Sequence, residues 1–320
     1  MLYKFSVIRT VGPDCCVYVC GSLDELGEWN PDRAVQLEPS SSTRADNEPS
    51  FWQCDVQVQS SPASFDYKYL CKYKCGRVEW EGCGPEHNRS FVLHQDPEAH
   101  VDANEVWLAT GRWTEVSGAT NEFQHTTAFY FKVICDHNGI HFSKITERLW
   151  LGSCPRQFYH VAVLKSIGVT TVLTLQTAHD LTHNSIGVFP PSHRYDEPLA
   201  DHLAQLYRQH GIAFIWMPTD DMSTAGRVRV VPQAAFLLQG LLTNGHRVYV
   251  HCNAGVGRAT AVVCAYLHCV EEMPLRKVEY LIASKRPAAF FDRKAMRTAA
   301  KDFLWKFGDV SSKIKSLSSP

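Results

Sequence analysis

The stretch Val248-Tyr249-Val250-His251-Cys252-Asn253-Ala254-Gly255-Val256-Gly257-Arg258 decides how the C-terminal half of the chain is read. Its apolar run, ending in His-Cys, reads as a buried strand. Five residues separate Cys252 from Arg258, and 259–270 carry a helical pattern. A loop that passes from a strand into a helix N-terminus turns successive backbone N–H groups inward, and the helix dipole adds positive potential there. Gly255 and Gly257 permit the dihedrals and close approach that such a loop needs. Arg258 brings a planar fork able to hold two phosphate oxygens. In that field the Cys252 thiol is expected to ionise more readily than a free cysteine and to attack a phosphate held by Asn253, Ala254, Gly255, Val256, Gly257 and Arg258. The nest and Arg258 supply the positive charge, so the reading calls for no metal or cofactor.

Outward from this loop, strands and helices alternate. Residues 148–152, 171–175 and 212–217 read as strands; 158–166, 199–210, 231–242, 275–284 and 293–306 read as helices, with Pro232 near the start of its helix and Asn244-Gly245 after the end. The pattern predicts an α/β domain over 146–308 with a largely parallel central sheet, its site at the C-terminal strand ends. Phosphate ester cleavage needs a general acid for the leaving oxygen. The candidates are Asp220 and Asp221, in Trp216-Met217-Pro218-Thr219-Asp220-Asp221-Met222, where a strand runs out into a loop.

Residues 1–110 differ in kind. Short alternating or β-branched runs at 3–9, 16–20, 51–58 and 65–71, split by turns and without helical periodicity, predict an all-β sandwich. Residues 39–49, rich in Ser and charge, read as a surface loop. Trp29 and Trp80 lie in turn-like sequences, where a flat ring can stack on the C–H face of a sugar while nearby Lys and amide groups bond its hydroxyls. Cys71, Cys75, Cys83 and His87 form the other constellation, but their spacing does not match the usual short zinc pairs. Residues 111–145 form a connector with a loop at 117–121 and a strand at 128–134; its aromatic content predicts packing. Residues 309–320 read as a polar tail.

Length and composition agree. The 320 residues fit about two domains. A net charge of −1 gives no footing for nucleic acid. No apolar run reaches the ~18 residues of a membrane helix, and the first residues read as a strand rather than a signal peptide. Twelve cysteines without a secretion signal, one of them a nucleophile, are expected to stay reduced in the cytoplasm.

The Cys252–Arg258 loop, with His251 before it and a helix after, resembles the phosphate loop of cysteine-dependent phosphatases, and its Cys-x-Ala-Gly-x-Gly-Arg form resembles that of glucan phosphatases among the dual-specificity branch. Residues 17–22 and Leu26-Gly27-Glu28-Trp29-Asn30-Pro31 resemble the opening of the starch-binding family of carbohydrate modules. Asp66-Tyr67-Lys68-Tyr69, Val78-Glu79-Trp80-Glu81, Gly84-Pro85 and Asn88-Arg89-Ser90 resemble that family's central signature. Together with Leu151-Gly152-Ser153-Cys154-Pro155-Arg156-Gln157 and Lys285-Arg286-Pro287-Ala288, the resemblance to the two-domain glucan phosphatases covers nearly the whole chain. It implies a phosphoglucan phosphatase that binds glycogen-like α-glucans, with Trp29 and Trp80 as platforms, Lys68 and Asn88 as polar contacts, and Gly84, Pro85, Glu86 and His87 shaping the adjoining loop. It favours Asp221 as the acid, since that family carries an Asp before Met-Ser-Thr. It further implies glucan contacts at Asp180 and at Phe290, where the family can use Tyr, and partners in a ubiquitin ligase and a second copy of the chain. One departure stands out: Ala259 replaces the Ser or Thr whose hydroxyl stabilises the leaving thiolate in this class. The same active site would also suit a glycogen-targeted protein phosphatase, or a glycogen-bound scaffold with weak catalysis.

Overall fold

The structure, a computed structural model, describes residues 1–41, 48–59, 62–93, 100–101, 104–120, 134–135, 139–185, 187–188 and 199–308. The expected strand at 128–134, except Ile134, the middle of the 39–49 loop and the tail at 309–320 lie outside the described residues. The chain divides into two compact units, one comprising Met1–Phe129 with Pro274–Ala288, the other Tyr130–Met273 with Ala289–Pro320.

The first unit is a β-sandwich. Its strands are β1 (Leu2–Arg9), β2 (Cys15–Gly21), β3 (Val35–Gln36), β4 (Glu38–Pro39), β5 (Ser50–Gln57), β6 (Ser64–Tyr73), β7 (Val78–Trp80), β8 (Arg89–Val92), β9 (His100–Val101), β10 (Glu105–Trp107) and β11 (Gly111–Arg112). One sheet runs β4-β5-β1-β10-β9 with β11 also on β1, and the other runs β3-β2-β6-β7 with β8 on β6. Alternation along β1 sends Tyr3, Phe5 and Val7 inward to meet Val17, Val19, Phe65, Tyr67 and Phe91. Tyr3 packs edge-on against Phe65 and Phe91 at 5.4 and 5.6 Å.

The opposite face of the β1 sheet is apolar at Ile8, Phe51 and Trp107, and a helix covers it. That helix spans Leu275–Lys285, which the pattern of the sequence placed in the catalytic domain. Its Tyr280 and Ala283 pack on Ile8 and Phe51, and the Tyr280 hydroxyl donates to the carbonyl of Lys4 at 2.8 Å. The helix falls in the first unit because its apolar stripe finds its partner there.

The second unit is a doubly wound α/β fold. Its sheet has the order β12 (Phe142–Thr146), β13 (Leu149–Gly152), β16 (Val248–His251), β14 (Thr171–Thr174), β15 (Ala213–Trp216). All neighbours are parallel except β12, which runs antiparallel on β13 and closes the edge. The helices, numbered along the chain, are α1 (Phe158–Ser166), α2 (Ala178–Asn184), α3 (Leu199–Gln209), α4 (Thr224–Thr243), α5 (Arg258–Cys269), α6, the Leu275–Lys285 helix already described, and α7 (Arg293–Phe307). Helices α1, α2 and α3 pack on the face of Trp150, Val172 and Tyr249, while α4 and α5 pack against β16 with α7 beside them. Burial on both faces is why Val248, Tyr249 and Val250 form an unbroken apolar run, each side chain contributing about 1.5–3 kcal/mol. Helix α4 begins seven residues before the 231 start read from the pattern, because Ser223 caps it by accepting from the N–H of Gly226 at 2.9 Å. Pro232 therefore lies inside the helix.

Candidate active site

Cys252 follows β16, the central strand, and lies 4 % exposed at the sheet's C-terminal edge. The loop after it is held by backbone bonds at both shoulders: the N–H of Cys154 donates to Asn253 O at 2.9 Å and the N–H of Phe290 to Val256 O at 2.8 Å. Gly255 has φ +65°, and a Cβ there would stand 2.3 Å from the Gly152 carbonyl, so no other residue fits. Helix α5 starts without a side-chain cap, at Gly257, leaving its first N–H groups to a ligand.

Arg258 opens α5 and is buried. Its Nη1 donates to Asp180 Oδ2 at 2.7 Å and to Thr219 O at 2.9 Å. Its Nη2 forms an ion pair with Asp221 Oδ2 at 3.1 Å. Beyond that ion pair, Nε and Nη2 have no hydrogen-bond partner among the described residues. Burial opposes the guanidinium charge, but Cys252, Asp221 and Asp180 outweigh it and raise its pKa. Asp220 points elsewhere, to Arg229 at 3.4 Å. The Asp221 side chain is 48 % exposed, so it can reach a ligand.

A second layer lies behind the loop, and the sequence pattern did not disclose it. Gln176 follows β14 and donates through Nε2 to Asn253 Oδ1 at 3.0 Å. The Asn253 amide in turn donates to Asp180 Oδ1 at 2.8 Å. Asp180, expected at a glucan contact, is 8 % exposed in the first turn of α2, where Thr177 caps the helix through a reciprocal pair of bonds with it. Burial pushes the Asp180 carboxyl up, yet the bonds from Asn253, Arg258 and Thr177 prevail and hold it at about 2. His251 is also buried. Its Nδ1 lies 3.0 Å from the Cys252 carbonyl, which only accepts, so Nδ1 carries the proton. Burial, with Arg258 adding to it, lowers its pKa to about 4 and keeps the ring neutral.

Phe290 is half-buried beside the loop, its ring 5.9 Å from the Arg227 guanidinium. Arg227 is locked to Asp292 at 2.7 Å. Ala259 is fully buried, and the hydroxyl of Thr260 next to it donates to Gly255 O at 3.4 Å, away from a thiolate-stabilising role.

In the β-sandwich, Trp29 and Trp80 come together with ring centroids 6.5 Å apart at 44°. Glu28 and Trp29 both have positive φ, 50° and 64°, in a tight turn that presents the indole. Lys68 is buried, and its Nζ donates to the Gly84 carbonyl at 2.5 Å. Gly84, Pro85 and Glu86 are exposed, with His87 and Asn88 half-buried beside them. The His87 Nδ1 accepts from the N–H of Cys83 at 2.8 Å.

A Cys-x5-Arg loop on a doubly wound sheet, joined to an aromatic-faced β-sandwich, defines a cysteine-dependent phosphatase carrying a carbohydrate-binding module. The starch binding domain family matches residues 3–102, and the dual specificity phosphatase catalytic domain family matches residues 149–298. Laforin of Mus musculus is 43 % identical over 338 residues, covering 99 % of this chain and 100 % of laforin. The chain belongs to the laforin family. The amyloplastic phosphoglucan phosphatase DSP4 of Castanea sativa is 31 % identical over 210 residues, 65 % of this chain and 49 % of that protein. Among solved structures, that of PTPMT1 matches 55 % of this chain and 99 % of its own, at 16 % identity and a TM-score of 0.42. No helix among the described residues is long and apolar enough to cross a membrane.

Proposed function

We propose that this protein removes phosphate monoesters from α-glucans of the glycogen type through a phosphocysteine intermediate. The observation that carries the reading is buried Arg258, closing the loop that Cys252 opens at an uncapped helix N-terminus, with its Nε–Nη2 edge met by the half-exposed Asp221, which phosphate can displace. The module binds glucan through Trp29 and Trp80, with Asn88 and the 84–87 loop at the rim and Lys68 bonded to that loop from beneath. Phe290 offers a further ring for sugar beside the phosphate loop.

The Cys252 thiolate attacks phosphorus, and the bond from phosphorus to the sugar oxygen breaks. Asp221 gives its proton to that oxygen. The loop N–H groups and Arg258 hold the charge on the equatorial oxygens. Water then attacks the phosphocysteine, Asp221 takes its proton, and inorganic phosphate leaves. None of the twelve cysteines is joined in a disulfide, which suits a reducing cytoplasm and association with glycogen there. A ubiquitin-ligase partner and a second copy of the chain belong to the same reading; Leu304 and Trp305, 61 % and 83 % exposed on α7, are suited to a protein contact.

The test is phosphate release from phosphorylated glycogen or amylopectin beside a soluble aryl phosphate. Glucan turnover should vanish in both Cys252→Ser and Trp29→Ala, and aryl phosphate turnover in Cys252→Ser alone. Wild-type protein that cleaves the aryl phosphate and leaves the glucan untouched would instead be a protein phosphatase addressed to glycogen.

A further inference from the structure

We propose that Asp180 is a positioning residue that ties together the two ends of the phosphate loop and selects which edge of Arg258 faces the phosphate. The inference rests on the phosphatase reading above and assigns Asp180 a duty in addition to any sugar contact.

The carboxylate accepts four hydrogen bonds, one on Oδ1 and three on Oδ2. Oδ1 accepts from the Asn253 amide at 2.8 Å. Oδ2 accepts from Arg258 Nη1 at 2.7 Å, from the Thr177 N–H at 2.9 Å and from the Thr177 hydroxyl at 2.9 Å. The side chain is 11 % exposed, so these bonds rather than solvent set its position. Asn253 is the first residue after the nucleophile and Arg258 the last of the loop, so one side chain bridges the loop's start and finish.

The bridge also orients the fork. A guanidinium can present either of two edges to an anion. Asp180 and the Thr219 carbonyl occupy Nη1, so the edge left for phosphate is Nε–Nη2, where the half-exposed Asp221 rests. A bidentate grip on phosphate requires such an edge held in register with the loop amides. Gln176 completes the support from the other side by fixing the Asn253 carbonyl oxygen, so the amide nitrogen must face Asp180. Helix α2, too short to bind an anion itself, thus serves as the bracket for the anion site formed by α5.

The experiment pairs aryl phosphate kinetics with binding of inorganic phosphate, measured by calorimetry, for Asp180→Asn and Asp180→Glu. Asp180→Asn should weaken phosphate binding and lower kcat/KM by about 10–100-fold, the range expected when a catalytic group is displaced by a fraction of an ångström. Asp180→Glu should recover part of both. In an Arg258→Lys background Asp180→Asn should cost less than about twofold more, because its effect passes through Arg258. Thr177→Val loosens the same carboxylate from outside the loop; it should shift phosphate affinity in the same direction by less, and it decides the matter if Asp180→Asn does not fold. Losses that multiply independently of Arg258, or a loss confined to glucan with aryl phosphate and phosphate binding intact, would overturn the proposal. If the wild type turns over no phosphate monoester, the enzymatic reading falls, while the phosphate affinities still judge Asp180.

Discussion

Nη2 of Arg258 stands 3.1 Å from Oδ2 of Asp221, although one residue opens α5 and the other lies in the loop after β15. The acid thus rests on the edge of the guanidinium that phosphate must take. Asp180 is buried and held by four hydrogen bonds; Asp221 is half exposed and can yield.

Replacing Asp221 by Asn should therefore act in two directions. Inorganic phosphate should bind tighter by a few-fold, since a competing charge has gone. Release of a sugar alcohol should slow by about 10²–10⁴, the usual contribution of a general acid. An aryl phosphate, whose leaving group needs little protonation, should lose much less. Equal losses on the two substrates would remove Asp221 from the acid's role.

Ala259 leaves the Cys252 sulfur without the neighbouring hydroxyl, and Thr260 is turned to Gly255 O. Ala259→Ser should speed breakdown of the phosphocysteine by up to ~2–3 kcal/mol of barrier, by analogy with one donor to a catalytic anion. Rapid-quench measurement should show a burst in the parent chain that shrinks in the variant. An unchanged dephosphorylation rate would mean that another group already serves the thiolate.

Acid should destabilise the catalytic unit in two windows. The unfolded chain protonates His251 near 6.5, whereas the folded ring resists until about 4. Between those values the unfolded state binds more protons, so this stability is full above 6.5 and drains away toward pH 4, by at most about 3 kcal/mol. Asp180 behaves alike at lower pH: its contribution is present above 3.8 and lost as pH falls toward 2. Urea midpoints should decline from pH 6.5 to 4.5, and His251→Gln should flatten that slope. A slope that persists in the variant would assign it to other groups.

Trp29→Ala or Trp80→Ala should weaken glucan binding by about 2 kcal/mol or more, as expected for a central aromatic anchor, or roughly 30-fold. Affinity electrophoresis in glycogen reads this directly. Because the two rings share one platform, the double variant should lose less than the sum.

Tyr280→Ala should unfold the β-sandwich earlier although it lies outside the sandwich sequence. It removes edge-on contacts with Phe51 at 5.7 Å and Trp107 at 4.8 Å, a loss of about 3 kcal/mol. Tryptophan fluorescence during urea unfolding, with its Trp107 component, should register the shift; an unaltered midpoint would mean that the helix merely rests on the sheet.

What the sequence disclosed was local. The strand–loop–helix around Cys252 carries its own evidence: an apolar run, two glycines and an Arg at a fixed spacing. The long sandwich strands β1, β2, β5 and β6 and the parallel strands of the catalytic sheet announced themselves by alternation or burial; the short β3, β4 and β7 to β11 did not. The connector's β12 did not, because an edge strand has one partner and little apolar content. Helix α2 was missed because its seven residues span barely two turns. The Gln176–Asn253–Asp180–Arg258 network joins residues more than seventy positions apart, and no period or spacing encodes such a meeting. The early start of α4 hung on a single capping hydroxyl at Ser223.

The helix over Ile8 and Phe51 also sets an order of events during synthesis. Tyr280 comes long after Arg112, where the last sandwich strand ends. A ribosome that has finished the sandwich strands has not yet made the piece that covers their outer face. The module's strands emerge before the helix that completes them, and until then its apolar sheet is a surface for chaperones to guard.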